Sequence, residues 1–268
     1  MMIPKTSSRA ISSACGTSDF VETFCKVELT ASELKEISEN VGGVLAWGGS
    51  QNIAPVDDIV IKVEHPLGIN PRAQMLASIL SKKVAIGATH LVIDVPTGRG
   101  TKVPTIEAAR AYARDFMDLG EALGMQVECA ITYGDQPVGS AVGPILEARE
   151  CIRVLEGFKH PSSVIEKACD IAGMILEMGG YMNGAARARE ILKSGDAHKK
   201  FMEIVVAQGG DPELKAEDLV PGEHVFDVVA PSSGYVHNIN NKDVVSIAKA
   251  AGAPADKGAG LLLYKKKG

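Results

Sequence analysis

The residues most able to do chemistry lie at the start of the chain: Lys5-Thr6-Ser7-Ser8-Arg9-Ala10-Ile11-Ser12-Ser13-Ala14-Cys15-Gly16-Thr17-Ser18-Asp19. Seven hydroxyls fall between Thr6 and Ser18, with one Arg and one Gly. A hydrophobic core has no use for that composition. The apolar lead-in Met1-Met2-Ile3 reads as the end of a strand, and Thr17 to Cys25 as a helix with Phe20, Val21 and Phe24 at helical spacing. The hydroxyls then sit on a strand-to-helix turn, where free backbone N–H groups and the helix dipole favour an anion. Arg9 adds a planar fork suited to phosphate. Spacing alone leaves two readings open: a phosphate or sugar-phosphate cradle, or a serine-rich tail with an ordinary N-cap.

Two further groups could join such a site. Gln74, Ser78 and Lys82 recur every four residues, forming a polar stripe on a helix that is otherwise largely apolar. The stripe reads either as a solvated face or as a ligand-facing one. Pro96-Thr97-Gly98-Arg99-Gly100-Thr101-Lys102 is a basic, glycine-rich loop after an apolar strand that ends near Asp94. It lacks the strict spacing of a nucleotide fingerprint. Ligands of open α/β sheets bind outside the carboxyl ends of strands, where both Lys102 and the Thr17 turn would fall. Asp57-Asp58 could supply acid–base groups, although adjacent acids at a helix start more often complement its dipole. The six histidines have no metal-binding spacing, and no G-x-S-x-G is present.

The elements that must position these groups follow from caps and periodicity. Thr30-Ala31-Ser32-Glu33 is a capping box starting a helix through about Val41, stopped by Gly42-Gly43. Val44 to Trp47 reads as a buried strand. Pro55 opens a segment, Asp57 to Ile61, that reads as a short helix or a strand. Asn70-Pro71 predicts a helix with Asn70 as N-cap and Pro71 at the first helical position, running to about Ile86. Thr89 to Val95 and Gln126 to Thr132 read as strands, separated by a helix from Thr105 to about Leu123. Further helices are expected over Val142 to Leu155, Ser163 to Met178, Ala185 to Lys193 and Ala197 to Gln208. On the first of these, Glu147 and Glu150 could face Arg153 and Arg149. His224 to Val229 and Gly234 to Ile239 read as a hairpin across Pro231-Ser232-Ser233-Gly234. Asn241 to Ala251 reads as a helix and Gly260 to Tyr264 as the start of a strand. The expected architecture is α/β: a mixed sheet flanked by helices, a small helical subdomain and a C-terminal α+β unit. The expected division is residues 1–54 with 88–218, residues 55–87, and residues 219–268.

Composition narrows the partners. The chain has 268 residues, 46% hydrophobic, which is enough for a sizeable core. Its net charge is −5 with no basic face, which argues against nucleic acid as the main partner. No apolar run approaches a membrane span, so no membrane partner is expected. Five cysteines, an odd number without C-x-x-C spacing, read as reduced thiols of a cytoplasmic protein without zinc. Both ends read as though cut from something longer.

Taken together, Lys5 to Asp19, Val41 to Asp58, Leu76 to Gly87, Val92 to Lys102, Thr132 to Glu150 and Ala250 to Gly260 resemble the thymidine/pyrimidine nucleoside phosphorylase family, in its branch acting on AMP. The specific pieces are K-T-S-S-R-A-I-x-S-x-x-G-T, A-S-I-x-S-K-K and D-x-P-T-G-x-G-x-K-V. The resemblance implies a small helical domain facing a larger α/β domain across a cleft, usually in a homodimer. It implies that AMP and inorganic phosphate give adenine and ribose 1,5-bisphosphate, with CMP and UMP as further candidate substrates and no cofactor. It implies that Ser8, Arg9, Ala10, Ile11, Ser12, Ser13 and Thr17 bind the nucleotide or the attacking phosphate, and that Ser78 and Lys102 contact AMP. Lys82 matches a lysine that contacts the base in pyrimidine relatives. The family's proton-donating Asp is matched by Asn70, whose amide can hydrogen-bond but cannot deliver a titratable proton. The family's first glycine-rich phosphate loop and its C-terminal segment find no counterpart in these 268 residues. The alternative implied by these departures is an impaired or split relative that binds nucleotide or phosphate without turning it over.

Overall fold

The computed structural model describes residues 1–10, 13–49, 56, 59, 60, 63, 67 and 71–267. Strand β1 (Ile3–Ser7) pairs in parallel with β2 (Gly43–Trp47), in register from Ile3 against Gly43 to Ser7 against Trp47. Between them lie α1 (Thr17–Val21) and α2 (Ala31–Val41). The capping box forms as expected. Thr30 Oγ1 accepts the Glu33 N–H at 3.2 Å, and Glu33 Oε2 accepts the Thr30 N–H at 2.6 Å. Gly42 closes the helix in the left-handed region at φ +84°.

Two expectations shift here. The first strand does not end at Ile3 but runs to Ser7, so Lys5, Thr6 and Ser7 belong to the ladder and not to the turn. Pairing with β2 extends it, and β-branched Thr6 is buried. The helix expected to reach Cys25 ends at Val21; turns follow, yet Phe24 and Cys25 still bury their side chains. The core here joins Val21, Phe24 and Val27 to Ile152, Val205 and Leu214. Gln208, only 2% exposed, ties the layers together. Its Oε1 accepts the Leu45 N–H at 2.8 Å, and its Nε2 donates to Leu45 O at 2.9 Å and Lys26 O at 2.6 Å.

Helix α3 (Arg72–Ala85) packs Leu76 and Leu80 against Phe116, Met125 and Val127. Pro71 has extended backbone (φ −65°, ψ 132°) and stands at the N-cap, so the helix starts one residue later than expected. Asn70 lies outside the described residues, as do Asp57 and Asp58. Strands β3 (His90–Thr97) and β4 (Gln126–Tyr133) pair in parallel across the crossover helix α4 (Ile106–Ala122). Thr105 caps that helix by accepting the Ala108 N–H at 3.2 Å.

Helix α5 (Pro144–Leu155) starts later than Val142. Gly143 at φ +124° and Pro144 set its beginning, and Ala141–Val142 form β5, antiparallel to β6 (Leu261–Leu262). Helices α6 (Ser162–Met178), α7 (Gly184–Ser194) and α8 (Asp196–Ala207) follow, and α9 (Asn241–Ala250) precedes β6. The fold is mixed α/β. Among the described residues its strands pair in three separate two-stranded ladders instead of one sheet. The expected hairpin over 224–239 is absent: these residues form no ladder. Val225, Phe226, Val228, Val229 and Tyr235 are each at least 80% exposed. A two-stranded hairpin is marginal unless one face is covered, and these five side chains stay in solvent.

Candidate functional site

The loop after β1 is folded around one carboxylate. Asp19 is 3% exposed, and its Oδ2 accepts N–H groups from Ala10 at 2.7 Å and Gly16 at 2.9 Å. Ser18, also buried, shares a hydroxyl hydrogen bond with Ser7 at 2.7 Å. Gly16 is needed for space: a Cβ there would lie 2.6 Å from Ser8 O and from the Arg9 carbonyl carbon. Ser8 and Ser13 are exposed, while Ala10 and Thr17 are half-buried. Ser13 Oγ donates to Cys15 O at 2.8 Å. Ile11 and Ser12 lie outside the described residues.

Arg9 is differently employed from the phosphate fork expected of it. Its guanidinium donates to both oxygens of Glu22, at 2.7 and 2.6 Å, and to Glu28 at 3.1 Å, and it stacks 4.6 Å from the Trp47 ring. Glu22 is drawn down to about 2, chiefly by the Arg9 hydrogen bonds and also by Lys257. The fork therefore fastens the loop to the layer beneath it.

Lys102 is exposed at the far end of the Gly-rich loop, which β3 extends into as far as Thr97. The loop is braced from the next turn. Asp135 Oδ1 accepts the Arg99 N–H at 2.6 Å, and Gly98 at φ +143° leaves no room for a Cβ, which would fall 2.2 Å from that oxygen. Thr101 Oγ1 donates within the loop to Gly98 O at 2.7 Å. The C-terminal unit adds a third brace: Arg99 Nη2 donates to Asn238 Oδ1 at 2.8 Å, and Asn241 Nδ2 to Gly134 O at 2.8 Å.

Ser13 and Lys102, 89 residues apart in sequence, line one cleft of about 660 Å³. Met75 and Ile79 of α3 also reach it, but Ser78 and Lys82 do not line it. The stripe of Gln74, Ser78 and Lys82 is half-buried on an adjacent face of the same helix, and Lys82 there adds its charge to that of Lys83 and Lys5.

The cleft contains groups not singled out as site residues from sequence. Glu147 lines it beside Cys15, with Oε1 accepting the Gly143 N–H at 3.1 Å. Burial, opposed by that hydrogen bond, raises Glu147 to about 7. It does not face an arginine as expected. Glu150 accepts the Ser140 N–H at 2.9 and 3.1 Å, while Arg153 lies 3.6 Å from Glu217 and packs over Phe158. Asp94 and Lys167 line the cleft and close a triad with Thr132. Lys167 Nζ lies 2.6 Å from Asp94 and donates to Thr132 Oγ1 at 3.0 Å, and Thr132 donates to Asp94 at 2.6 Å. A carboxylate inside an apolar strand was the available signal for Asp94. No signal pointed to Lys167, which comes from a distant helix. The cysteines are free, and burial pushes Cys25 and Cys151 up to about 12. No helix among the described residues is long and apolar enough to cross a membrane.

The frame is α/β, with one glycine-containing loop following β1 and a lysine-bearing loop following β3. Residues 1–198 match the family described as "Glycosyl transferase family, a/b domain", and the chain belongs to that family. It is 55% identical over 271 residues to the AMP phosphorylase of Methanothrix thermoacetophila, covering 100% of this chain and 53% of that protein. It is 52% identical over 269 residues to AMP phosphorylase 1 of Archaeoglobus fulgidus, and 54% identical over 271 residues to the AMP phosphorylase of Thermococcus kodakarensis. Those matches cover 100% of this chain and 53% and 54% of the relatives. The chain spans about half the length of the curated relatives it matches.

Proposed function

We propose that the chain carries the nucleotide-binding face of a phosphorylase that converts AMP and inorganic phosphate to adenine and ribose 1,5-bisphosphate. The observation that carries the reading is the shared cleft of Ser13 and Lys102 under a loop held by Asp19. Relatives named AMP phosphorylase align along the whole chain and support it. In that reading phosphate attacks the anomeric carbon while the base leaves through an oxocarbenium-like state. Ser8 to Ser13, Thr17 and Lys102 meet oxyanion charge with hydroxyls, N–H groups and an ammonium. Ser78 and Lys82 serve the nucleotide from the neighbouring face of α3. Arg9 serves by keeping the loop in shape through Glu22 and Glu28. The division into residues 1–54 with 88–218, 55–87 and 219–268 suits such a cleft enzyme, as do a homodimer and a cytoplasmic location. No cofactor is needed, since phosphate is itself a substrate.

Asn70 favours a second reading, a binding module with weak turnover. General-acid assistance to a leaving group is typically worth ~10²–10⁴-fold, and an amide cannot supply it. The test is phosphate-dependent release of adenine from AMP, followed by chromatography, with CMP and UMP in parallel. Slow release is expected, rising in Asn70→Asp. AMP bound but never cleaved, even by Asn70→Asp, would leave the binding module. Neither binding nor release would end both readings.

A further inference from the structure

Gln136, Pro137, Val138 and Gly139, between β4 and β5, line the cleft that Ser13 and Lys102 share. The first three also line a smaller cavity of about 340 Å³ against α6. This stretch is therefore a wall common to both spaces. Its backbone carbonyls need partners, and successive ones find them on different elements. Pro137 O accepts from Lys266 Nζ at 2.7 Å, and Val138 O accepts from the Ser163 hydroxyl on α6. Gly139 O again accepts from Lys266 Nζ, and Ser140 O accepts the Leu263 N–H at 2.8 Å. Glu150 holds the amide side by accepting the Ser140 N–H. It stands so close that a Cβ on Gly139 would fall 2.0 Å from its Oε1. Lys267 completes the attachment, its N–H donating to Gln136 Oε1 at 2.9 Å. A lysine ammonium has three donors and no acceptor. Half-buried Lys266, 129 residues beyond Pro137, directs two of them at this one stretch.

We propose that Lys266 is a positioning residue for the nucleotide: its ammonium, clamped on Pro137 O and Gly139 O, sets the shape of the cleft wall against which AMP packs. Lys266 itself does not line the cleft and acts from behind, through the two carbonyls. Carbonyl oxygens that converge on one point repel each other unless a cation stands between them, so the course of the wall depends on this charge. The inference rests on the phosphorolysis reading, which places AMP in this cleft.

The test uses the full chain carrying Lys266→Ala, Lys266→Met or Lys266→Arg, with Lys265→Gln on the exposed neighbour as control. Amide exchange over residues 136–141 and AMP affinity by calorimetry are measured with and without propylammonium, whose head can enter the space that the alanine variant opens. In Lys266→Ala the Ser140 N–H should exchange faster and AMP bind more weakly, each by about tenfold, the scale of one charge-assisted hydrogen bond. Propylammonium should restore both, and Lys266→Arg, which keeps charge and donors, should retain both. Lys266→Met keeps the apolar stem, so it remains informative if the alanine variant folds poorly; it should show the same losses. Unchanged exchange and affinity in the alanine and methionine variants overturn the proposal. Losses that neither propylammonium nor Lys266→Arg repairs overturn it too, as does an equal loss in Lys265→Gln. Faster exchange with undiminished AMP affinity shows a brace that leaves the nucleotide untouched, which also overturns the positioning role. Failure of the native chain to bind AMP overturns the phosphorolysis reading and this role with it, while amide exchange still reports separately whether Lys266 holds the wall.

Discussion

Asp19 holds two backbone N–H groups, those of Ala10 and Gly16, in the loop that follows β1. Asp19→Ala leaves both donors without their partner, and such losses cost about 1–3 kcal/mol each where the donor is buried. The expected outcome is a lower denaturation midpoint together with lost AMP binding; full binding with an unchanged midpoint would contradict it. Gly16→Ala tests the same loop sterically. Its new methyl meets backbone, which cannot rotate away, so a cost of about 1–3 kcal/mol is expected. Glu147 gives a pH signature. Its carboxyl is raised to about 7 from an unfolded value near 4.5, so the folded chain binds more protons across that interval. Its contribution is therefore present below about 4.5 and lost as pH climbs through 7. Glu22, lowered to about 2, acts oppositely: its contribution is present above about 4.5 and fades as pH falls towards 2. Stability measured between pH 5 and 8 should fall less steeply in Glu147→Gln than in the native chain. Parallel curves would show that Glu147 titrates normally.

At the scale of elements, caps and crossovers were legible because their causes are local. Thr30 with Glu33, Thr105 before α4 and Gly42 after α2 each announce themselves within four residues. Tertiary competition decided the misjudged boundaries. Ladder pairing drew Lys5 to Ser7 into β1, and Gly143 with Pro144 gave Ala141–Val142 to β5 instead of α5. The lining of the candidate cleft was legible where residues follow a strand end, as at Ser13 and Lys102. It was hidden where partners come from afar, as with Lys167 against Asp94 or Asp135 under Gly98. The last pair carries a prediction. Asp135→Ala removes the acceptor for the Arg99 N–H, so amide exchange over residues 98–102 should quicken and AMP affinity drop, with global stability little changed. Unaltered exchange in that loop would show that Thr101 and Asn238 suffice to hold it. Close helix packing gives another: Gly173 and Gly184 meet where α6 and α7 cross, and a Cβ on Gly173 would lie 2.3 Å from Ala185 N. Gly173→Ala should separate these helices and lower the midpoint, and an unchanged midpoint would mean that the crossing yields easily.

Across the whole molecule, buried surface is unevenly distributed. The core around Ile152 joins Val21, Phe24 and Val27 of the family-matched region to Val205, Leu214 and Leu219 beyond it. Residues 223–240 contribute little to it and leave Val225, Phe226, Val228, Val229 and Tyr235 facing water. Exposed apolar runs of this kind promote self-association. Phe226→Ser with Val228→Thr should lower light scattering of concentrated solutions without shifting the denaturation midpoint. A lowered midpoint would mean that these side chains support the fold after all.

Gln208 has a reach beyond its own three bonds. By offering an oxygen and a nitrogen to the amide of Leu45, it occupies the outward rim of β2 as another length of extended chain would. A rim sealed by a glutamine cannot zip onto the rim of a neighbouring molecule, so the ladder is closed to further strands on its β2 side.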